Sequence, residues 1–197
     1  PTLKNINLKI NKGEKILLAG PSGSGKSTIG RCLNGLIPNI DQGEVEGKCL
    51  VNGKDITNTS LFDFSFTTST ILQDADSQFI GLTVGEDIAF ALENDCQPKD
   101  KMHQTVNQWA DELKIKELLT QSPQSLSGGQ KQIVALAGVL VDESPILLFD
   151  EPLANLDPAS GLKTMAIIDK IQKELNATVI IIEHRVEEVL SQPIDRI

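Results

Sequence analysis

Residues 20–27 read Gly20-Pro21-Ser22-Gly23-Ser24-Gly25-Lys26-Ser27, a match to the pattern G-x-x-x-x-G-K-[ST]. No other stretch restricts the fold as strongly. The pattern needs a strand that delivers a tight loop and a helix that leaves it. Residues 15–19 are an apolar, β-rich run, and residues 28–36 carry a helical pattern. Gly20, Gly23 and Gly25 let the backbone turn its N–H groups toward an anion, and a helix starting near Lys26 adds its positive end. The pattern therefore predicts a phosphate cradle in which Gly20, Pro21, Ser22, Gly23, Ser24, Gly25, Lys26, Ser27 and Thr28 hold a nucleotide. Lys26 would reach the β- and γ-phosphates, and Ser27 would bind Mg²⁺ through its hydroxyl. A Gly-rich turn would match by chance in roughly one chain in a hundred, and the flanking strand and helix lower that further. Such loops serve kinases, GTPases, helicases and transporters alike.

The rest of the chain extends this unit into an α/β fold with a mostly parallel sheet. Residues 67–72 read as a strand ending at Gln73, and residues 146–149 and 178–182 are continuous apolar strands of the kind that helices cover on both faces. Residues 48–51 and 54–56 flank Asn52-Gly53, a type I′ hairpin signal and so an antiparallel β region. Between them, residues 74–144 read as helical, with Val106, Trp109, Ala110 and Leu113 forming one apolar face. Trp109 is expected to be a core anchor. The expected organisation is a single domain over residues 1–197. Residues 1–73 and 145–197 would form its nucleotide-binding core, and residues 74–144 an inserted α-helical subdomain.

Composition narrows the partners. The net charge of −9 argues against a broad surface for nucleic-acid phosphates. No apolar run approaches the ~18 residues needed to span a bilayer, and nothing at the amino end resembles a signal peptide, so a membrane role would be peripheral. Cys32, Cys49 and Cys96 are odd in number and widely spaced, and they are expected to be reduced, small core hydrophobes of a cytosolic protein.

Two further runs carry chemistry. Residues 146–151 deliver Asp150 and Glu151 at the end of an apolar strand. Beside a phosphate loop, Asp150 is expected to hold Mg²⁺ and Glu151 to polarise the attacking water as general base; strand-end acids standing alone are often merely solvated. Leu126-Ser127-Gly128-Gly129-Gln130 precedes a helix predicted over residues 130–141, forming a second anion-binding helix start.

The phosphate loop and this LSGGQ run, roughly a hundred residues apart, resemble the ATP-binding cassette (ABC) family, and Gln73, residues 146–151, Leu156-Asp157 and His184 follow in the expected order. The resemblance covers essentially the whole chain. It implies a P-loop NTPase (RecA-like) core, ATP and Mg²⁺ as ligands, and ATP hydrolysis. It further implies that Gln73 senses Mg²⁺ and the γ-phosphate, and that His184 contacts the γ-phosphate and orients the water. Ser127, Gly128, Gly129, Gln130 and Asp157 would act on the nucleotide of a second cassette packed head to tail. Glu183, beside His184, has no implied role and reads as solvated.

Within the family, residues 73–79, Thr83-Val84, residues 87–90, residues 153–158 and residues 129–132 look like energy-coupling-factor ATPases of vitamin and metal uptake. The overall wording is most similar to cassettes of hydroxymethylpyrimidine/thiamine import. That implies integral membrane partners contacted near residues 73–90, a place on the cytoplasmic face of the plasma membrane, and no nucleic-acid partner. Three departures stand out: Ile133 replaces the usual Arg, Ala75 stands where Pro is frequent, and the adenine-stacking aromatic is expected upstream of Pro1. The missing initiator Met and the stop at residues 193–197, where another strand would begin, suggest part of a longer chain, with tandem cassettes one arrangement that fits. Two non-transport readings share the signature. DNA-repair or chromosome ATPases insert long coiled coils, and translation-type cassettes generally lack the pattern at residues 73–90.

Overall fold

The computed structural model of the chain describes residues 3–72 and 78–197. Four strands form one parallel sheet in the order β1-β6-β5-β4: β1 Lys15–Leu18, β4 Thr68–Ile71, β5 Ile146–Asp150 and β6 Thr178–Ile182. The register sets Leu18 beside Ile182 and Ile182 beside Asp150, so the carboxyl ends of β1, β6 and β5 lie level. Ile71 pairs with Phe149, which carries β4 to the same edge. Every residue of β6 is buried, as a strand covered by helices on both faces requires. On the outer side of β1, Arg196 bridges to Ile16, with Leu17 N donating to Arg196 O at 3.0 Å.

The predicted hairpin forms from β2 Leu50–Val51 and β3 Lys54–Asp55. Its turn residues Asn52 and Gly53 take φ of 49° and 79°, the left-handed values a type I′ turn demands. The helices are α1 Lys26–Leu33, α2 Leu36–Asn39, α3 Leu61–Ser65, α4 Val84–Asn94, α5 Lys99–Glu112, α6 Gly128–Leu140, α7 Pro158–Leu175 and α8 Val186–Val189. The first ends earlier than its apolar pattern predicts. Gly35 turns left-handed at φ 77°, and a Cβ there would lie 2.9 Å from Phe64 Cγ. α4 begins with a capping box in which Thr83 Oγ1 accepts from Glu86 N and Glu86 Oε2 accepts from Thr83 N.

One buried apolar cluster joins the sheet to the helices of the middle segment. It runs from Ile71, Leu147, Phe149 and Ile181 through Leu136 and Leu140 to Ile88, Val106 and Trp109. Trp109 is 6% exposed and is the expected core anchor. The helical segment therefore packs into the main core. On the opposite face of the sheet, Ile16, Leu148, Ile180 and Ile182 form a second cluster. Lys15, 3% exposed, pairs with Asp169 of α7, and Lys173 meets the same carboxylate at 2.6 Å. Among the described residues no helix is long and apolar enough to cross a membrane.

The cysteine reading needs one correction. All three thiols are free, and Cys32 and Cys49 are half-buried, with burial pushing both thiols up. Cys96, however, is exposed. It follows the C-cap Asp95 of α4 with φ 54°, a helix-end turn position that faces solvent.

Candidate nucleotide site

The phosphate loop spans the gap between β1 and α1 as its glycines predict. Gly23 and Gly25 have φ of 76° and 95°, where a side chain would be strained, and Gly25 is the N-cap of α1. Lys26 is nearly buried, and its ammonium donates to Gly20 O at 2.8 Å and Pro21 O at 2.9 Å. It therefore lies folded over the loop that the pattern assigns to phosphate. Gly30, one turn further along α1, lets the helix rest on the sheet. A Cβ there would sit 3.0 Å from Ile182 Cδ1 and 3.4 Å from Leu148 Cδ2. That close approach brings Ser27 to the end of β5, where its Oγ donates to Asp150 Oδ1 at 3.4 Å.

Asp150 is half-buried, and burial raises its pKa; Glu151 acts in the same direction, while Ser27, Lys26 and Arg31 oppose it. Ser27 and Asp150 offer hard oxygen donors beside a carboxylate that its surroundings undercompensate. This fits Mg²⁺, which takes one or two protein ligands and completes its shell with water and phosphate oxygens.

Glu151 leaves β5 with φ 53°, a left-handed conformation that costs a residue with a side chain about 1–3 kcal/mol. Its N–H donates to Ile182 O at 2.8 Å, and its own carbonyl accepts from Ala154 N at 3.0 Å. These bonds hold the turn and swing the carboxylate toward β6. There His184 Nε2 meets Glu151 Oε1 at 2.9 Å. A carboxylate oxygen accepts, so this contact places the proton on Nε2. The structure thus brings Glu151 and His184 together, beside the Asp150–Ser27 pair. Gln73, expected at the same sheet edge after β4, lies outside the described residues, as does Ala75.

Glu183 is not solvated, contrary to the sequence reading. It is 2% exposed, and its carboxylate accepts from Leu153 N at 2.9 Å, His184 N at 2.6 Å and Arg185 N at 3.0 Å. The available signal was the strand before it. A run that is apolar at every position is covered on both faces, so the next residue also starts inside the protein.

The signature begins α6 two residues earlier than predicted. Ser127 is its N-cap, with Ser127 N donating to Gln130 Oε1 at 2.9 Å and Gln130 N to Ser127 Oγ at 3.4 Å. Asp157 caps α7 through Ala159 N and Ser160 N, and accepts from Ser160 Oγ at 2.6 Å. A Cβ at Gly128 would meet Asn155 O at 3.6 Å, and one at Gly129 would meet Ser160 Oγ at 3.4 Å. The signature start and the Asp157 cap therefore form one continuous surface. Ile133, in place of the expected Arg, packs half-buried against the main core.

A parallel sheet with a phosphate loop at its carboxyl edge, flanked by strand-end carboxylates, defines a P-loop nucleotide-binding domain. The family model described as ABC transporter matches residues 3–154, and the chain belongs to that family, as its ATP-binding domain. A putative ABC transporter ATP-binding protein of Lactobacillus johnsonii is 98% identical over all 197 residues, and one of Streptococcus mutans is 61% identical. The chain spans about a third of the length of these relatives, 34% and 35%. Among solved structures, cbiO1 from Clostridium perfringens, part of the ABC transporter complex cbiONQ, superposes with TM-score 0.86 and 33% identity. That match covers 95% of this chain and 74% of the other. The dimeric post-hydrolysis state of the ATP-binding cassette MJ0796, bound to ADP and Pi, gives TM-score 0.81 and 26% identity over 95% of this chain and 82% of that one.

Proposed function

We propose that this chain hydrolyses MgATP as the cytoplasmic motor cassette of an energy-coupling-factor importer for a vitamin or related small solute. The observation that carries the reading is the meeting of Glu151 and His184 at 2.9 Å on the sheet edge that also holds the Lys26 loop and the Ser27–Asp150 pair. On nucleotide binding, Lys26 would exchange its two loop carbonyls for phosphate oxygens. Ser27 and Asp150 would hold Mg²⁺, which when bound would neutralise charge on the phosphates. Glu151 accepts a proton from the attacking water, and His184 orients that water while fixing one Glu151 oxygen. The surface made by Ser127–Gln130 and Asp157 would face the phosphates of a second cassette, which closes on ATP and reopens after hydrolysis.

Two observations favour transport over the DNA-repair reading. The likeness to cbiO1 extends over almost the whole chain. The longest described helix between the phosphate loop and the signature is α5, of 14 residues, too short for a coiled-coil insert. The test is phosphate release by the full-length protein with MgATP, alone and with its membrane partners. The reading expects turnover that needs Mg²⁺ and is lost in Lys26→Ala. Turnover indifferent to both overturns it.

A further inference from the structure

Glu183 is a carboxylate, 2% exposed, that the proposed chemistry does not use and that the fold has buried beside the site. Its two oxygens face different segments. Oε1 accepts from Leu153 N, inside the turn that runs from Glu151 to Asp157, while Oε2 accepts from His184 N and Arg185 N. Arg185 closes the same circuit from the other side. Its guanidinium donates to Leu153 O at 2.7 Å and Leu156 O at 2.8 Å, and Glu188 Oε1 anchors its Nε at 2.8 Å. Leu153, held by both residues, is fully buried.

The turn and the His184 segment are thus one hydrogen-bonded unit, with Glu151 at one end, Asp157 at the other and His184 between them. Hydrogen bonds from backbone N–H groups to a carboxylate are roughly twice as strong as neutral ones, and the Glu183 side chain accepts three. Solvation alone needs no such arrangement.

We propose that Glu183 is a positioning residue for hydrolysis. Its carboxylate fixes the backbone on both sides of the His184–Glu151 contact, and it ties that contact to the loop ending at the partner-facing Asp157. Movement of residues 153–157 when a second cassette docks is then transmitted to His184 through Glu183 and Arg185. The inference rests on the reading of His184 and Glu151 as the hydrolytic pair and adds the element that sets their separation.

The experiment is a double-mutant cycle on the full-length protein, with ATP affinity, kcat and melting temperature measured for each variant. Glu183→Gln keeps the shape but turns an amide NH₂ toward backbone N–H donors, so at least one side of the link is lost. The expected result is unchanged ATP affinity, because residues 20–28 are untouched, with kcat lowered about 10- to 100-fold, since a displacement near 1 Å costs about that much. In a His184→Ala background, Glu183→Gln should lower kcat no further, because its effect travels through the contact already removed. A turn lock with no part in positioning gives losses that multiply, and that result overturns the inference. So does wild-type kcat in folded Glu183→Gln. Wild-type turnover by His184→Ala alone is a different outcome: it removes the hydrolytic reading, and the inference with it. Should Glu183→Gln fail to fold, Arg185→Lys carries the same cycle, since a lysine cannot bridge Leu153 O and Leu156 O together.

Discussion

His184 Nε2 lies 2.9 Å from Glu151 Oε1, so side chains leaving two neighbouring parallel strands are joined at the sheet edge. The Glu151 side chain is 20% exposed and that of His184 38%, so water can reach the pair. One carboxylate oxygen is fixed by the imidazole. A general base held this way loses orientation when its partner is removed, and loses basicity when it is itself made an amide.

The expected outcome for Glu151→Gln follows from that contact. The amide can still face His184 but cannot take the proton from water. Hydrolysis should fall by roughly 10²-fold or more, the usual worth of general-base assistance. ATP binding should persist, because the loop at residues 20–28 is unaltered. Single-turnover phosphate release with a parallel binding titration checks both halves; wild-type turnover contradicts the role given to Glu151.

Much of this site is legible in the sequence because its parts are local. Glycines at 23 and 25 announce left-handed turns, and Asn52-Gly53 announces the hairpin, since backbone conformation there depends on the residue itself. Glu183 is different. Its partners Leu153 and Arg185 lie on a separate turn and on its own segment, and only the pairing of β5 with β6 brings them together. A carboxylate next to a histidine carries no mark of burial in itself, and the only hint is the apolar run of β6 before it. Cys96 fails for the opposite reason: a cysteine's usual preference for the core yields to the left-handed turn that ends α4. The signature helix is expected from residue 130, whereas Ser127 and Gln130 form a capping box that starts it at Gly128.

Lys26→Ala removes the one ammonium on the loop. In the structure that ammonium donates to Gly20 O and Pro21 O, so the variant also loosens the turn. Charge-assisted bonds to phosphate are among the strongest available, so MgATP affinity should drop below a useful level while the fold persists. Calorimetric titration of the full-length protein decides it, and unchanged affinity contradicts the assignment of the loop.

The Lys15–Asp169 pair gives a stability prediction with a defined pH window. Burial pulls the Asp169 carboxyl up, but hydrogen bonds and charges from Lys15 and Lys173 outweigh it, so its pKa ends below the usual value. A depressed folded pKa contributes stability that is present above the unfolded value of about 3.9 and is lost as pH falls through the folded one. Asp169→Ala should cost about 3–5 kcal/mol at pH 7, because Lys15 is left buried and unpaired. The difference from wild type should begin to narrow below about pH 4 and close only as pH falls through the lower folded pKa, where the wild-type carboxylate itself takes up a proton. Urea unfolding at pH 7 and pH 3.5 measures both values, and a gap independent of pH rules out the ion pair as its source.

The shared site makes the last prediction. Gly129 lies in the first turn of α6 against Ser160, on the surface that also carries the Asp157 cap. If this surface faces a second cassette, it contributes nothing to ATP bound on its own chain. Gly129→Asp should therefore leave ATP affinity unchanged, because residues 20–28 are intact. It should abolish hydrolysis by the pair, since a carboxylate at a helix start repels the phosphates it must face. Mixing Gly129→Asp with Lys26→Ala sharpens the test. In a heterodimer of the two, one composite site carries both lesions and the other carries neither, so activity should partly return. Hydrolysis at the wild-type rate by dilute, monomeric Gly129→Asp protein eliminates the shared site, because the signature would then have no part in the chemistry.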